Sequence, residues 1–309
     1  QIETITTEEL ENSEEFLKEA HAKSFFHLLG NPHNLNLFLS IYKQGETVRN
    51  RTDLFEKACA VLVKEKNEAH AGARNETYSS SDLIDISGLL CTIYMLTNSA
   101  GLSLTETAGD ASYPYILDEI GDKVTIAKQA AKTGVFRQDG TNRIVPCHRT
   151  IAEYLSANYL IKLSREGLPL PRVVGMITGY DDGTLSDLRG LYAWMATLYP
   201  EKSDYLISRD SVGILIYGDV SKFSASGKRT LFNELKLVSK QHPWFLAEVR
   251  INNEMGNIVC LDLEQDILYV LNNGHDDIYF LTFVLEALEI GEPLDNLGAP
   301  LLRIAQSKE

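Results

Sequence analysis

The residues best equipped for chemistry lie in PCHRTIAEYLSANYL, positions 146–160. His148 stands just ahead of a run that reads as a helix, with Arg149, Thr150 and Glu153 following. An imidazole can exchange a proton near neutral pH, ligate a metal, or donate an N–H to an anion. The spacing argues against metal hydrolysis. A zinc-binding helix carries HExxH, whereas here the glutamate follows five positions after the histidine and no second histidine is near. No GxSxG is present. SGKRT, positions 226–230, invites comparison with a phosphate-binding loop. That loop needs a glycine five residues ahead of its Gly-Lys and a hydroxyl after the lysine to hold magnesium. Lys222 and Arg229 occupy those places, so the stretch reads as a basic helix start. Asp181-Asp182-Gly183 and Asp276-Asp277 sit at a turn and a helix start, where capping explains paired carboxylates without catalysis. No nucleophile, base and orienting group come together, so no catalytic residue, no metal site and no autonomous enzyme are expected.

The elements that must position His148 are mostly helical. Helix formers run through 6–30, with Thr6 or Thr7 as an N-terminal cap. Asn31-Pro32 then opens a second helix over 33–45, with Leu35, Phe38, Leu39 and Tyr42 on one face and Gly45 at its end. A third helix covers 51–67, capped by Thr52 or Asp53, with Leu54, Ala58, Val61 and Leu62 as its apolar stripe. Residues 68–82 read as a polar loop and 81–99 as a strongly apolar, buried helix. Shorter helices are expected at 113–120 and 122–132. The periodicity then changes. Runs at 135–138 and 143–147 flank Asp139-Gly140-Thr141-Asn142, a hairpin signal. Helices feeding a hairpin that feeds another helix predict a winged-helix-like unit. Beyond Gly167, short helical segments are punctuated by Gly, Pro and Asp at 170–179, 185–200, 202–224, 227–240, 276–291 and 294–308. This reads as stacked helix pairs, loosely HEAT-like, without a strict period. Residues 244–272 fit strand and helix equally. The fold class expected is therefore mainly α: a helical bundle and a winged-helix-like unit with a small hairpin, followed by a HEAT-like arm.

With 44% hydrophobic and 23% charged residues over 309 positions, the chain can bury a sizeable core and should form two or three domains. Its 29 basic against 43 acidic residues give a net charge of −14, with no concentrated basic patch. Such a surface repels nucleic acid phosphate, so no nucleic acid partner is expected. Cys59, Cys91, Cys147 and Cys260 are widely spaced, which fits free thiols in a reducing cytoplasm. No apolar run approaches the roughly 18 residues of a membrane span. The chain opens on Gln1, so we expect a portion of something longer.

Three stretches resemble NACHT-type STAND NTPases. GNPHNLNLFLSIYKQGETVRNRTDLFEKACAVLV, 30–63, resembles the helical segment that follows their nucleotide-binding core. RIVPCHRTIAEYLSANYLIKL, 143–163, resembles the end of their winged-helix domain, with Pro146 where the family often carries an aromatic. LRGLYAWMATLYPE and LISRDSVGILIYGD, within 188–219, resemble the helical arm of large bacterial members. The resemblance implies domains at 1–67, 68–165 and 166–309, and a P-loop and magnesium-binding acid on an upstream core. It implies that Pro32 packs on the adenine of ADP or ATP. His148 would reach the β-phosphate of ADP and hold a closed resting state. Arg149 and Glu153 would be surface or intrahelical groups. Implied partners are the upstream NTPase core of the same polypeptide, a protein or other ligand sensed by the arm, and further copies of the chain on activation. A role in signal transduction or antiviral defence follows from the family alone. The competing expectation is a helical interaction scaffold with no nucleotide.

Overall fold

The computed structural model of the chain describes residues 2, 6, 10, 12–22, 26–30, 32–43, 45–64, 78–106, 110–116, 120–250 and 254–306. They form a mainly helical protein with one small antiparallel sheet. Contacts divide the chain into two compact units, Gln1–Gly179 and Tyr180–Glu309.

The first unit contains α1 (Ser13–Ala22), α2 (Pro32–Lys43), α3 (Arg51–Lys64) and α4 (Ser80–Thr97). The N–H groups that a cap at Thr6 would accept lie outside the described residues. The Thr6 hydroxyl bonds to the carbonyl of Ile2, four residues back, as in a helical turn; Thr7 lies outside the described residues. Helix α2 buries Leu35, Phe38 and Leu39 as the spacing predicts, and Gly45 ends the stretch at φ 73°. The cap of α3 is neither Thr52 nor Asp53 but Asn50, whose Oδ1 accepts the Asp53 N–H at 2.9 Å. Thr52 and Asp53 are buried inside the helix instead. The loop expected over 68–82 falls largely outside the described residues. What is seen of it is a capping box, in which Ser79 Oγ accepts from the Asp82 N–H and Asp82 returns the favour to the Ser79 N–H.

The sheet is built from β1 (Leu102–Ser103), β2 (Phe136–Gln138) and β3 (Arg143–Pro146), with β3 central and both pairings antiparallel. The β2–β3 hairpin is the one predicted, and Gly140 (φ 87°) and Asn142 (φ 57°) supply the left-handed turn. Strand β1 is too short to show in a hydrophobic pattern. It is held close because Gly101 has no side chain: a Cβ there would stand 2.7 Å from the Ile144 carbonyl oxygen. The helix expected at 113–120 is absent from its described part. Tyr115 makes a bridge with Ser103, and Ser103 N–H donates to the Pro114 carbonyl. The next helix, α5 (Val124–Ala130), is shorter than the 122–132 expected and is preceded by a 3-10 turn.

From β3 the chain enters α6 (Arg149–Arg165), which packs along α4; α5 also packs on α4, and α3 meets both α4 and α6. At the α4–α6 crossing Gly88 lets the backbones approach, its Cβ position lying 2.9 Å from the Leu155 carbonyl oxygen and from Tyr159 Cβ. Leu90, Leu155 and Leu160 are fully or almost fully buried around it. Each contributes about 1.5–3 kcal/mol relative to exposure. Phe38 of α2, Phe55 of α3 and Tyr154 of α6 form an aromatic chain, with centroids 6.4 Å and 5.7 Å apart. Helix α7 (Leu170–Gly175) closes the unit against α6.

The second unit centres on α8 (Arg189–Leu198), in which Gly190 to Thr197 are all buried, as expected of a helix apolar all round. Helix α8 packs on α9 (Ser203–Ile207) and α10 (Ser211–Tyr217), and the unit continues through α11 (Ala225–Gln241), α12 (Phe245–Val249), α13 (Glu264–Asn273), α14 (Ile278–Ile290) and α15 (Gly298–Gln306). The described part of the ambiguous stretch 244–272 holds α-helical and 3-10 segments and no strand, with Trp244 and Arg250 in turns and Val259 and Cys260 outside any element. Arg189 grips Asp210 through two 2.9 Å bonds while Asp210 caps α10. Phe232, Phe280, Phe283 and Phe245 form a continuous aromatic core.

Candidate functional site

His148 sits where β3 gives way to α6. The Cys147 N–H donates to the Val135 carbonyl at 2.8 Å, which fastens the strand end to the residue preceding β2. His148 follows in an extended conformation (φ −149°, ψ 146°) and is the N-cap of α6. Its Nδ1 accepts the backbone N–H of Thr150 at 3.2 Å and lies 2.8 Å from Thr150 Oγ1. The ring is half-buried. A nitrogen that accepts from a backbone N–H carries no proton, so the neutral imidazole has its proton on Nε2. Nε2 then carries the ring proton, at the first turn of a 17-residue helix, where the helix dipole favours negative charge.

Pro32 is the first residue of α2, a position that needs no N–H. Its ring lies outside the described residues, so its expected contact with adenine has no geometry here. What joins the two elements is α3. Helix α2 packs on α3, α3 packs on α6, and the Phe38–Phe55–Tyr154 chain runs through all three.

The charged surroundings of His148 were only partly legible. Arg149 and Glu153 do pair within the helix, at 3.1 Å, and Arg149 is exposed. Glu153 is buried, so of the two places expected for it the intrahelical one holds. Burial raises its carboxyl pKa, while attraction from Arg149 and from Arg51 works against that rise. Arg51, the first residue of α3, is itself buried at 5% exposure. A buried arginine of α3 and a buried glutamate of α6 thus attract each other. The sequence signal was the arginine at a helix start; its burial depends on a partner a hundred positions away. Asp53, one turn into α3, is also buried. Burial raises its pKa, but hydrogen bonds from the Arg49 N–H and guanidinium and from Lys57 outweigh this and hold the carboxyl below its usual value.

Two open grooves occur in this unit. One, of about 400 Å³, lies between α4 and α6 and is lined by Asp85, Tyr159, Lys162 and Arg165. The other, of about 370 Å³, lies between α2 and α3 beside Ile41, Lys57 and Lys64. Neither is lined by Pro32 or His148.

The remaining candidates behave as structure. Ser224 caps α11 by accepting the Gly227 N–H, and Arg229 pairs with Asp266 and the Asp262 carbonyl, so SGKRT is a helix start. Asp181 accepts the Gly183 N–H in a turn, and Asp277 caps α14. All four cysteines are free thiols. Burial, with neighbouring thiols adding, drives the pKa values of Cys59 and Cys91 up, so both are poor nucleophiles at neutral pH. Among the described residues no cluster of His, Cys, Asp and Glu could hold a metal ion, and no helix is long and apolar enough to cross a membrane. No protein-family model, no curated protein and no solved structure matches this chain.

Proposed function

We propose that this chain is the regulatory portion of a NACHT-type STAND NTPase, a cytoplasmic switch that closes over ADP and opens for self-association. In this reading α4, α5, the three-stranded sheet and α6 form a winged-helix-like unit, and the helices of the second unit form a HEAT-like sensing arm. ADP or ATP is bound mainly by an upstream core bearing the P-loop and magnesium site, while Pro32 meets the adenine and His148 the β-phosphate. Hydrolysis belongs to that core and not to this chain.

The observation that carries the reading is the cap of α6. It gives His148 an Nε2–H donor at the positive end of a long helix, which is what a phosphate oxygen requires. Losing that one bond on exchange of ADP for ATP would bias a two-state element. The test is His148→Ala in the complete polypeptide. We expect faster ADP release and more self-association without stimulus; ADP release and oligomer distribution equal to wild type would refute the phosphate role.

A second reading has its own support. The cap by itself accounts for a histidine at this place, and the second unit exposes Trp244, Tyr269, Ile278 and Tyr279. A nucleotide-independent helical scaffold would use such residues to bind protein. The residues encoded immediately before Gln1 separate the two readings: a P-loop and an acidic strand favour the switch, an unrelated domain the scaffold.

A further inference from the structure

Two donors on a single residue converge on one nitrogen of His148. The backbone N–H of Thr150 points at Nδ1 from 3.2 Å, and Thr150 Oγ1 lies closer, at 2.8 Å. A backbone N–H can only donate, so a proton on Nδ1 would set N–H against N–H. A hydroxyl can donate or accept, and with Nδ1 bare it donates, giving a three-centre arrangement on the imidazole lone pair.

We propose that the Thr150 hydroxyl is a positioning residue for His148: by donating to Nδ1 it holds the imidazole in the Nε2–H tautomer and fixes the direction of that N–H. The hydroxyl is suited to this because Thr150 is β-branched and half-buried on the first turn of α6, which restricts its side-chain rotation. The alternative, an Nδ1–H donating to Oγ1, would leave the Thr150 N–H without this acceptor and would remove the side-chain cap. The tautomer follows from this geometry alone. Its consequence for a phosphate ligand rests on the functional reading above, in which Nε2–H is the group that meets the anion.

The test is imidazole nitrogen NMR on the 309-residue chain labelled at histidine, with the His148 signals assigned by their loss in His148→Asn. In wild type, Nδ1 should give a pyridine-type signal displaced by hydrogen bonding, and Nε2 a protonated signal. Thr150→Ser should reproduce both, and Thr150→Val, which keeps shape but removes the donor, should move Nδ1 toward its unbonded position. In the complete polypeptide, Thr150→Val should release ADP faster by about threefold to tenfold, the equivalent of one net hydrogen bond, with Thr150→Ser near wild type. An Nδ1–H tautomer in wild type, or an Nδ1 signal unchanged in Thr150→Val, overturns the proposal. If the NMR results hold but His148→Asn retains ADP like wild type, the phosphate reading fails and the tautomer assignment stands.

Discussion

At the scale of single residues, the cap made by His148 and the phosphate role proposed for it use different nitrogens and can be separated. In His148→Asn the amide oxygen can take over the Nδ1 acceptor, since asparagine is among the best N-caps, but nothing replaces Nε2–H. His148→Ala loses both. Thermal or chemical denaturation should therefore place His148→Ala about 1 kcal/mol below wild type and His148→Asn close to it; equal losses in the two variants would mean that the cap contributes nothing. Asp53 gives a prediction with a defined pH window. Its folded carboxyl titrates below the usual range, so its contribution is present above the unfolded value near 3.9 and is lost as pH falls through the lower folded value. Asp53→Asn should cost about 1–3 kcal/mol at pH 7, and the gap to wild type should shrink below about pH 4. A gap independent of pH would assign the loss to packing. Of these groups, the place of His148 at a helix start was legible because a hairpin signal ends just before it and helix formers follow. The burial of Glu153 was not, because α6 packs on helices that come from far away in the chain.

At the scale of elements, the crossing of α4 and α6 sets where the cap points. Gly88→Ala would push a methyl against the Leu155 backbone, which cannot rotate away. We expect a loss of about 1–3 kcal/mol, typical of overpacking, and broadened His148 NMR signals. An unchanged melting temperature would show that the helices separate more easily than their packing implies. Helices with strong periodicity and recognisable ends were readable, as was the hairpin marked by Asp139-Gly140. What escaped was pairing between distant segments. Strand β1 has only two residues, and the stretch around Tyr113 joins it through Ser103 rather than coiling. The cap of α3 was misplaced by two or three residues because Asn50, Thr52 and Asp53 are all capable caps and only the hydrogen bond to Asn50 decides.

At the scale of the whole molecule, the chain divides between Gly179 and Tyr180 into two compact units. Tyr180 is fully exposed and is followed by Asp181, Asp182 and Gly183. Limited chymotrypsin treatment should cut first after Tyr180 and leave two stable fragments; a first cut inside α4 or α8 would contradict two separate cores. The balance of helix over strand could be read from the sequence, since it rests on local periodicity. The division of contacts at 179/180 was not legible, because it depends on α7 packing back on α6.

The central claim is that Nε2 of His148 holds a nucleotide phosphate. It is tested most directly by measuring the ADP that co-purifies with the complete polypeptide, wild type against His148→Asn, by chromatography of the denatured proteins. The account predicts ADP nearly equimolar with the wild-type chain and several-fold less in the variant, at matched folding stability. Equal ADP in the two, or none in either, would contradict it.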